Sequence, residues 1–171
     1  MLYKFMTPTL MEYGLGAVGK LGSYLEMYNC KKAMIVCDKG VAKAGHAAKV
    51  TKIASAEGFT TILWDRVVAN APIDTEKEGV NVIIGLGGGS AMDTARAISM
   101  AMTLPLDIGA YMDFANDIDR EGIPMIAIPT TAGTGSEVST GAVIYEPEKT
   151  KKSLLLSTFA AAKVALIDGN I

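Results

Sequence analysis

The sequence predicts an α/β fold, a parallel sheet with helices on both faces and a short hairpin region towards the C-terminal end. Three observations predict it. Short continuous apolar runs of strand length recur at 34–37, 60–63, 80–86 and 123–128. Stretches with helical spacing alternate with them, most clearly at 44–57 and 91–102. Two of the apolar runs end in turns dense in glycine and small hydroxyl residues, at 85–90 and 129–137.

Taken in order, Ala17–Tyr28 predicts a helix weakened by its glycines. Met34–Cys37 reads as a buried strand that ends in Asp38-Lys39-Gly40. In 44–57 the residues Ala47, Val50, Ile53 and Ala54 share one helical face, and Gly58 stops the helix. Thr60–Leu63 with Val67-Val68 gives a second strand, Val80–Leu86 a third, followed by a helix over Ala91–Met102. Ile123–Ile128 is a fourth strand, closed by Pro129. After Ser136 the pattern changes. Ala142–Tyr145, a turn at Glu146-Pro147-Glu148, Ser153–Leu156 and Val164–Ile167 read as short strands that include a hairpin. One step is irregular: only 69–79, with Pro72 and Gly79, separates the second strand from the third. A parallel crossover needs roughly ten to twelve residues and normally a helix, so a helix is missing or these strands are not ordinary parallel neighbours. One face of the sheet is then expected to be thinly covered.

Bulk properties narrow the class. At 171 residues, half of them hydrophobic, the chain suits one domain with a core that needs no staples. No apolar stretch approaches the roughly 18 residues of a membrane span, and the first residues lack the pattern of a secretory signal, so a cytoplasmic protein is expected. The net charge of −2, with basic residues scattered apart from Lys149, Lys151 and Lys152, argues against a nucleic-acid partner. Cys30 and Cys37 are isolated thiols rather than a disulfide framework.

The chemistry concentrates at the glycine turns. In Gly85-Leu-Gly-Gly-Gly-Ser-Ala-Met-Asp93, Ser90 can cap the following helix and Asp93 can reach back to it. Gly87, Gly88 and Gly89 let backbone N–H groups lie against phosphates at the positive end of that helix, and a dinucleotide's pyrophosphate is the expected occupant. A glycine turn with no ligand is the plainer alternative. Pro129-Thr-Thr-Ala-Gly-Thr-Gly-Ser-Glu137 leaves another strand's carboxyl end, where open α/β sheets bind ligands, and offers the hydroxyls of Thr130, Thr131 and Thr134. Asp38 also ends a strand, where a carboxylate can hold ribose hydroxyls and repel a 2′-phosphate, favouring NAD over NADP. It precedes the glycine turn instead of following it by about twenty residues, so this is not the ordinary Rossmann fingerprint; a surface Asp opening a turn reads equally well. Lys152 could reach a phosphate or a ribose. His46, the one histidine, has no partner at ligand spacing, and no residue cluster suits zinc or iron. Ser90 and Ser136 have no recognisable base, and Met100 and Met102 read as packing.

Together these segments resemble the iron-containing, group III alcohol dehydrogenases. The resemblance rests on 85–98, Asp107–Tyr111, 126–138 and Ala165-Leu-Ile-Asp168, and runs from about Tyr3 to the last residue. It implies a Rossmann-like N-terminal, NAD-binding domain spanning 1–171. By matching position, the implied NAD contacts are Asp38, Asn70, Gly87, Gly88, Gly89, Ser90, Thr130, Thr131, Thr134 and Lys152, with Asp93 in the same motif. In this family the ribose-binding acid belongs on the earlier strand, where Asp38 stands. The resemblance also implies that iron or zinc is bound by one aspartate and three histidines of a helical C-terminal domain, and that none of those ligands is in this chain. Two departures stand out: the chain is shorter between Thr75 and Glu76, where the family has a helix, and Ala160-Ala161-Ala162 stands where a proline is common. The implied function is the NAD(H)-binding part of an NAD-dependent, metal-type alcohol dehydrogenase, inactive alone and prone to self-association. Two alternatives remain open. One is a truncated nucleotide- or partner-binding module. The other is a domain from the related glycerol dehydrogenase or dehydroquinate synthase branch.

Overall fold

A computed structural model describes residue 2 and residues 7–66, 79–146 and 150–171. Its main sheet has six strands, all paired in parallel: β1 (Leu10–Tyr13), β2 (Lys32–Val36), β3 (Thr60–Trp64), β4 (Val82–Gly87), β5 (Met125–Pro129) and β8 (Val164–Ile167). Their spatial order is β1-β8-β5-β4-β2-β3. Strands β4 and β5 are buried at every residue, which is why they read as unbroken apolar runs rather than alternating ones.

Successive side chains of each strand point to opposite faces and enter different clusters. On one face Ile35, Ile84 and Ile126 pack under α1 (Leu21–Met27) and α3 (His46–Ala56), through Leu25, Val50 and Ala54. On the other, Met34, Ile83 and Met125 pack under α4 (Gly89–Ala101), through Met92, Ala95 and Ile98. Gly85 makes that second contact close. A Cβ there would lie 2.9 Å from both the Ala95 Cβ and the Met125 Cε, so only a glycine lets α4 settle this far onto β4.

The remaining strands, β6 (Gly141–Glu146) and β7 (Lys151–Leu156), form a separate antiparallel pair. Ala142, Ile144 and Leu155 on its inner face join Ala97 and Met100 of α4 and Ile108, Tyr111 and Met112 of a 3₁₀ segment, Ile108–Phe114. Helix α4 is therefore covered by the main sheet on one side and the hairpin on the other. Met100 lies inside this third cluster and Met102 packs on the second, so both are packing residues.

The α/β class, the parallel sheet and the helices on both faces are as the sequence predicts. Three local details differ. Leu10–Tyr13 forms an edge strand beside β8 that no sequence pattern announced; it is four residues long and mostly exposed. The predicted helix over 17–28 divides into a 3₁₀ turn, Ala17–Lys20, and α1. The predicted 44–57 helix is preceded by its own short helix, α2 (Lys39–Lys43), with Gly45 at φ 89° breaking the two apart. The irregular 69–79 connection, like Val67-Val68 and Pro147-Glu148 of the predicted turn, lies outside the described residues except for Gly79. The strand order accounts for part of the irregularity, because β2 stands between β3 and β4, which are not neighbours.

That order also fixes where a ligand can bind. From β2 the chain moves outward to β3, and from β4 it moves in the opposite direction to β5. The sheet reverses direction between β2 and β4, and open α/β sheets bind ligands beyond the carboxyl ends of the strands at such a point.

Candidate functional site

The carboxyl ends of β2, β4 and β5 carry Asp38, Gly87 to Ser90, and Thr130 to Ser136 respectively. The two glycine turns meet through their backbones. The Thr130 N–H donates to Gly87 O at 3.0 Å. Gly87 adopts φ 141°, and a Cβ there would lie 3.0 Å from the Ala91 Cβ and 3.5 Å from the Val41 Cγ2. A Cβ on Gly88 would lie 3.3 Å from the Thr131 Oγ1, and one on Gly89 would lie 2.9 Å from the Thr134 Cγ2. The glycines thus bring the second turn against the first.

Gly88, at φ −84° and ψ −170°, is the N-cap of α4, and no side chain caps this end. The first helical bond runs from the Met92 N–H to Gly88 O, so the N–H groups of Gly89, Ser90 and Ala91 lie ahead of it. The expected capping roles are corrected here. The helix begins one residue before Ser90, whose side chain does not cap it, and Asp93 turns away from the helix end. Asp93 Oδ2 accepts from the Val143 N–H at 3.0 Å and Oδ1 from Arg96 Nη1 at 3.1 Å. Burial raises its pKa, against the opposing pull of the Val143 N–H and the Arg96 charge.

An open cleft of about 780 Å³ lies between the start of α4 and the outer face of the hairpin. Gly89, Ser90, Asp93, Thr134 and Lys152 line it together, joining five sequence-predicted positions in one place. Its hairpin wall comes mainly from Val143, Tyr145, Lys152, Leu154 and Leu156, on the face opposite Ala142 and Leu155, with Gly141 and Ile144 also bordering it. Thr130 and Thr131 instead border a neighbouring cleft of about 500 Å³, shared with Tyr13 and Asp168. Asp38 is the exposed N-cap of α2, accepting from the Val41 N–H at 2.9 Å, and Val41 is also the side chain against Gly87. Asn70 lies outside the described residues.

Sequence reasoning missed Arg96. Its side chain is completely buried, and burial lowers its pKa against the raising influence of Asp93. The available signal was a lone arginine in a run of small and apolar residues, three positions after an aspartate. Asp168 was noticed only as part of a motif. It is buried and accepts from the backbone N–H groups of Gly16, Val18 and Asn170, at 3.1, 3.2 and 3.0 Å. Burial pushes its pKa up, but those three N–H groups and the Lys49 charge outweigh it and hold the carboxyl below its ordinary value.

Residues 8–169 match the sequence pattern of the iron-containing alcohol dehydrogenases. The chain belongs to that family. It is 34% identical to choline dehydrogenase of Bacillus subtilis (strain 168), over 97% of this chain and 44% of that protein. It is 35% identical to lactaldehyde reductase of Escherichia coli (strain K12), over 93% of this chain and 44% of that protein. Among solved structures, alcohol dehydrogenase from Oenococcus oeni superimposes with a TM-score of 0.87 at 32% identity, over 98% of this chain and 46% of that one. Sulfoacetaldehyde reductase from Bifidobacterium kashiwanohense, solved in complex with NAD+, superimposes with a TM-score of 0.86 at 25% identity, over 98% of this chain and 46% of that one. The chain therefore spans less than half the length of these relatives, corresponding to their N-terminal, Rossmann-like part.

No group of three or more His, Cys, Asp and Glu side chains among the described residues is placed to hold a metal. His46 sits on α3, on the sheet face opposite α4. The described residues do not fit an iron site, whereas the uncapped start of α4 fits an anion. No helix among them is long and apolar enough to cross a membrane.

Proposed function

We propose that residues 1–171 act as one nucleotide-binding domain, the NAD(H)-binding part of an NAD-dependent alcohol dehydrogenase that interconverts alcohols with aldehydes or ketones. One observation carries the reading. The uncapped N-terminus of α4 opens into a cleft at the point where the strand order reverses, with Lys152 on the opposite wall. Three unpaired N–H groups, the positive end of a 13-residue helix and an ammonium together suit a pyrophosphate. The bound nucleotide supplies the hydride donor or acceptor.

The chain's own residues bind and orient. The N–H groups of Gly89 and Ser90 hold phosphate oxygens, and Lys152 offsets their charge. Thr134 borders the same cleft, and Thr130 and Thr131 border the next. Asp38, exposed at the end of β2, accepts from an adenosine ribose and disfavours a 2′-phosphate. Asp93 holds the hairpin wall rather than meeting the nucleotide head-on. The match over 8–169 supports an alcohol dehydrogenase over the glycerol dehydrogenase and dehydroquinate synthase branch.

A calorimetric titration of the purified chain with NADH and NADPH tests this. Saturable 1:1 binding of NADH, weakened in Lys152→Ala, is expected. Absence of NADH binding by a folded chain overturns the reading. A second use, association with another protein surface, is favoured by the exposed edge around β1, where Tyr13 and Leu15 are 85% and 81% exposed. Sedimentation as a single monomer at high concentration would remove it.

A further inference from the structure

We infer that Arg96 is the positioning residue of the nucleotide cleft: one buried guanidinium sets both of the cleft's walls against the start of α4. This rests on the proposed cofactor reading and adds to it a residue that touches no ligand.

All five N–H donors of Arg96 are used, each on a different acceptor. Nε donates to Ala160 O at 2.9 Å. Nη1 donates to Asp93 Oδ1 at 3.1 Å and to Gly141 O at 2.6 Å. Nη2 donates to Ser139 O at 3.0 Å and to Ser136 O. Four of these partners, Asp93, Ser136, Ser139 and Gly141, line the cleft, while Arg96 itself lies beneath it. Its bonds reach the end of the second glycine turn, the first residue of β6 and the segment before β8, which are 40 to 64 residues away in sequence. Asp93 completes the clamp, one oxygen on Arg96 and the other on the Val143 N–H of β6.

Only arginine can do this. A planar fork with five donors spans carbonyls that approach from several directions, whereas an ammonium offers three donors from one point. Lysine keeps the charge and the packing stem but loses at least two of the five bonds. Methionine keeps the volume but takes the guanidinium donors from the carbonyls of Ser136, Ser139, Gly141 and Ala160 and from Asp93 Oδ1. In either case the apolar contacts of Ala142, Ile144 and Leu155 still dock the hairpin, so the fold persists while its register on α4 loosens.

The test compares the wild-type chain, Arg96→Lys, Arg96→Met and a control, Val50→Ala, whose site is buried on the opposite face of the sheet. NADH affinity is measured by calorimetry below the unfolding midpoint of every variant, and backbone hydrogen exchange is followed over 136–145. Arg96→Lys is expected to bind NADH at least about tenfold more weakly and to exchange faster over 136–145, with β4 and β5 still protected. Val50→Ala lowers the midpoint but leaves affinity and 136–145 exchange unchanged, which separates positioning from general stability. Unchanged NADH affinity in Arg96→Lys overturns the inference, as does a parallel loss of affinity in Val50→Ala. Failure of the wild-type chain to bind NADH overturns the cofactor reading instead. If both arginine variants fail to fold, exchange over 136–145 is compared in the wild-type chain with and without NADH; no added protection there also overturns the inference.

Discussion

Gly89→Ala separates the stability of the domain from the geometry of its site. The new Cβ would lie 2.9 Å from the Thr134 Cγ2, 3.0 Å from its Oγ1 and 3.2 Å from the Ser136 Oγ. Carbon atoms normally sit about 3.5–4.0 Å apart, so one side must withdraw by roughly 0.6–1 Å. Ser136 is buried and its carbonyl is held by Arg96, so it stays. Thr134 is exposed and yields. Its hydroxyl, which donates to the Ser136 Oγ at 2.9 Å and accepts from the Ser136 N–H at 3.2 Å, then gives up both bonds. Because water replaces them at an exposed site, the loss is about 1 kcal/mol, with a further 1 kcal/mol or so for the residual crowding. Alanine is favoured over glycine in a helix by up to about 1 kcal/mol, which offsets half of this. The net change is about 1 kcal/mol, a fall in Tm of roughly 2–4 °C for a chain of this size.

Binding responds differently, because the displaced turn is the one packed against the α4 N–H groups. Sites need their donors placed within about 0.5 Å, so NADH affinity is expected to fall about tenfold or more. Thermal unfolding by circular dichroism and an NADH fluorescence titration measure the two effects. Gly133→Ala, in the same turn, is the comparison: no atom lies within 4 Å of its Cβ position, and both quantities stay near wild type. Full NADH affinity in Gly89→Ala would refute the argument that close approach of the two turns builds the site. A large Tm loss in Gly133→Ala would refute the description of that turn.

Asp38→Asn keeps a side chain that caps α2 but removes the charge, so unfolding is unchanged while discrimination against NADPH weakens; at 4 Å a like-charge repulsion is about 1 kcal/mol in water and about 4 at an effective dielectric of 20, and the exposure of Asp38 points to the lower end. Equal preference before and after the substitution, measured by calorimetry, would show that Asp38 does not face the ribose. Asp168 has a folded-state pKa below the unfolded value near 3.9, so its contribution is full above that pH and is lost as pH falls through the folded pKa. Asp168→Asn is therefore expected to lower the urea midpoint at pH 7 and to flatten the acid limb below about pH 4; an unchanged acid limb would contradict this. The purified chain is expected not to reduce NAD+ with small primary alcohols or 1,2-diols, before or after loading with Fe2+ or Zn2+, since the described residues supply no metal cluster; metal-dependent NADH formation by a homogeneous preparation would overturn that.

What the sequence made legible was local or periodic. Strands buried on both faces are continuous apolar runs, so β2, β4 and β5 could be read within a few residues of their ends. Both glycine turns declared themselves by composition. The helix start was misjudged by two residues because Gly88 caps through an extended backbone, without the side-chain oxygen that makes caps readable. Edge strand β1 was invisible because a four-residue strand paired on one side has little reason to be apolar. The break at Gly45 was missed because helical composition runs up to it from both sides. Asp93 and Arg96 act on partners 40 to 64 residues away, apart from each other, and no spacing rule reaches that far.

Those two residues also show how work divides under the cleft. A buried ion pair roughly breaks even against a well-packed apolar replacement, so stability alone does not account for Arg96 and Asp93. The hairpin's attachment comes from Ala142, Ile144 and Leu155 on Ala97 and Met100, and apolar contact of that kind is non-directional. It would hold the hairpin equally well after a small slide or rotation. Hydrogen bonds to Gly141 O, Ser139 O and the Val143 N–H would not survive such a move. The apolar cluster thus keeps the hairpin on α4, and the polar pair decides where on α4 it sits. Lys152 depends on that second decision, because its place across from the helix N-terminus follows from the register of β7 on β6, which pairs it with Tyr145.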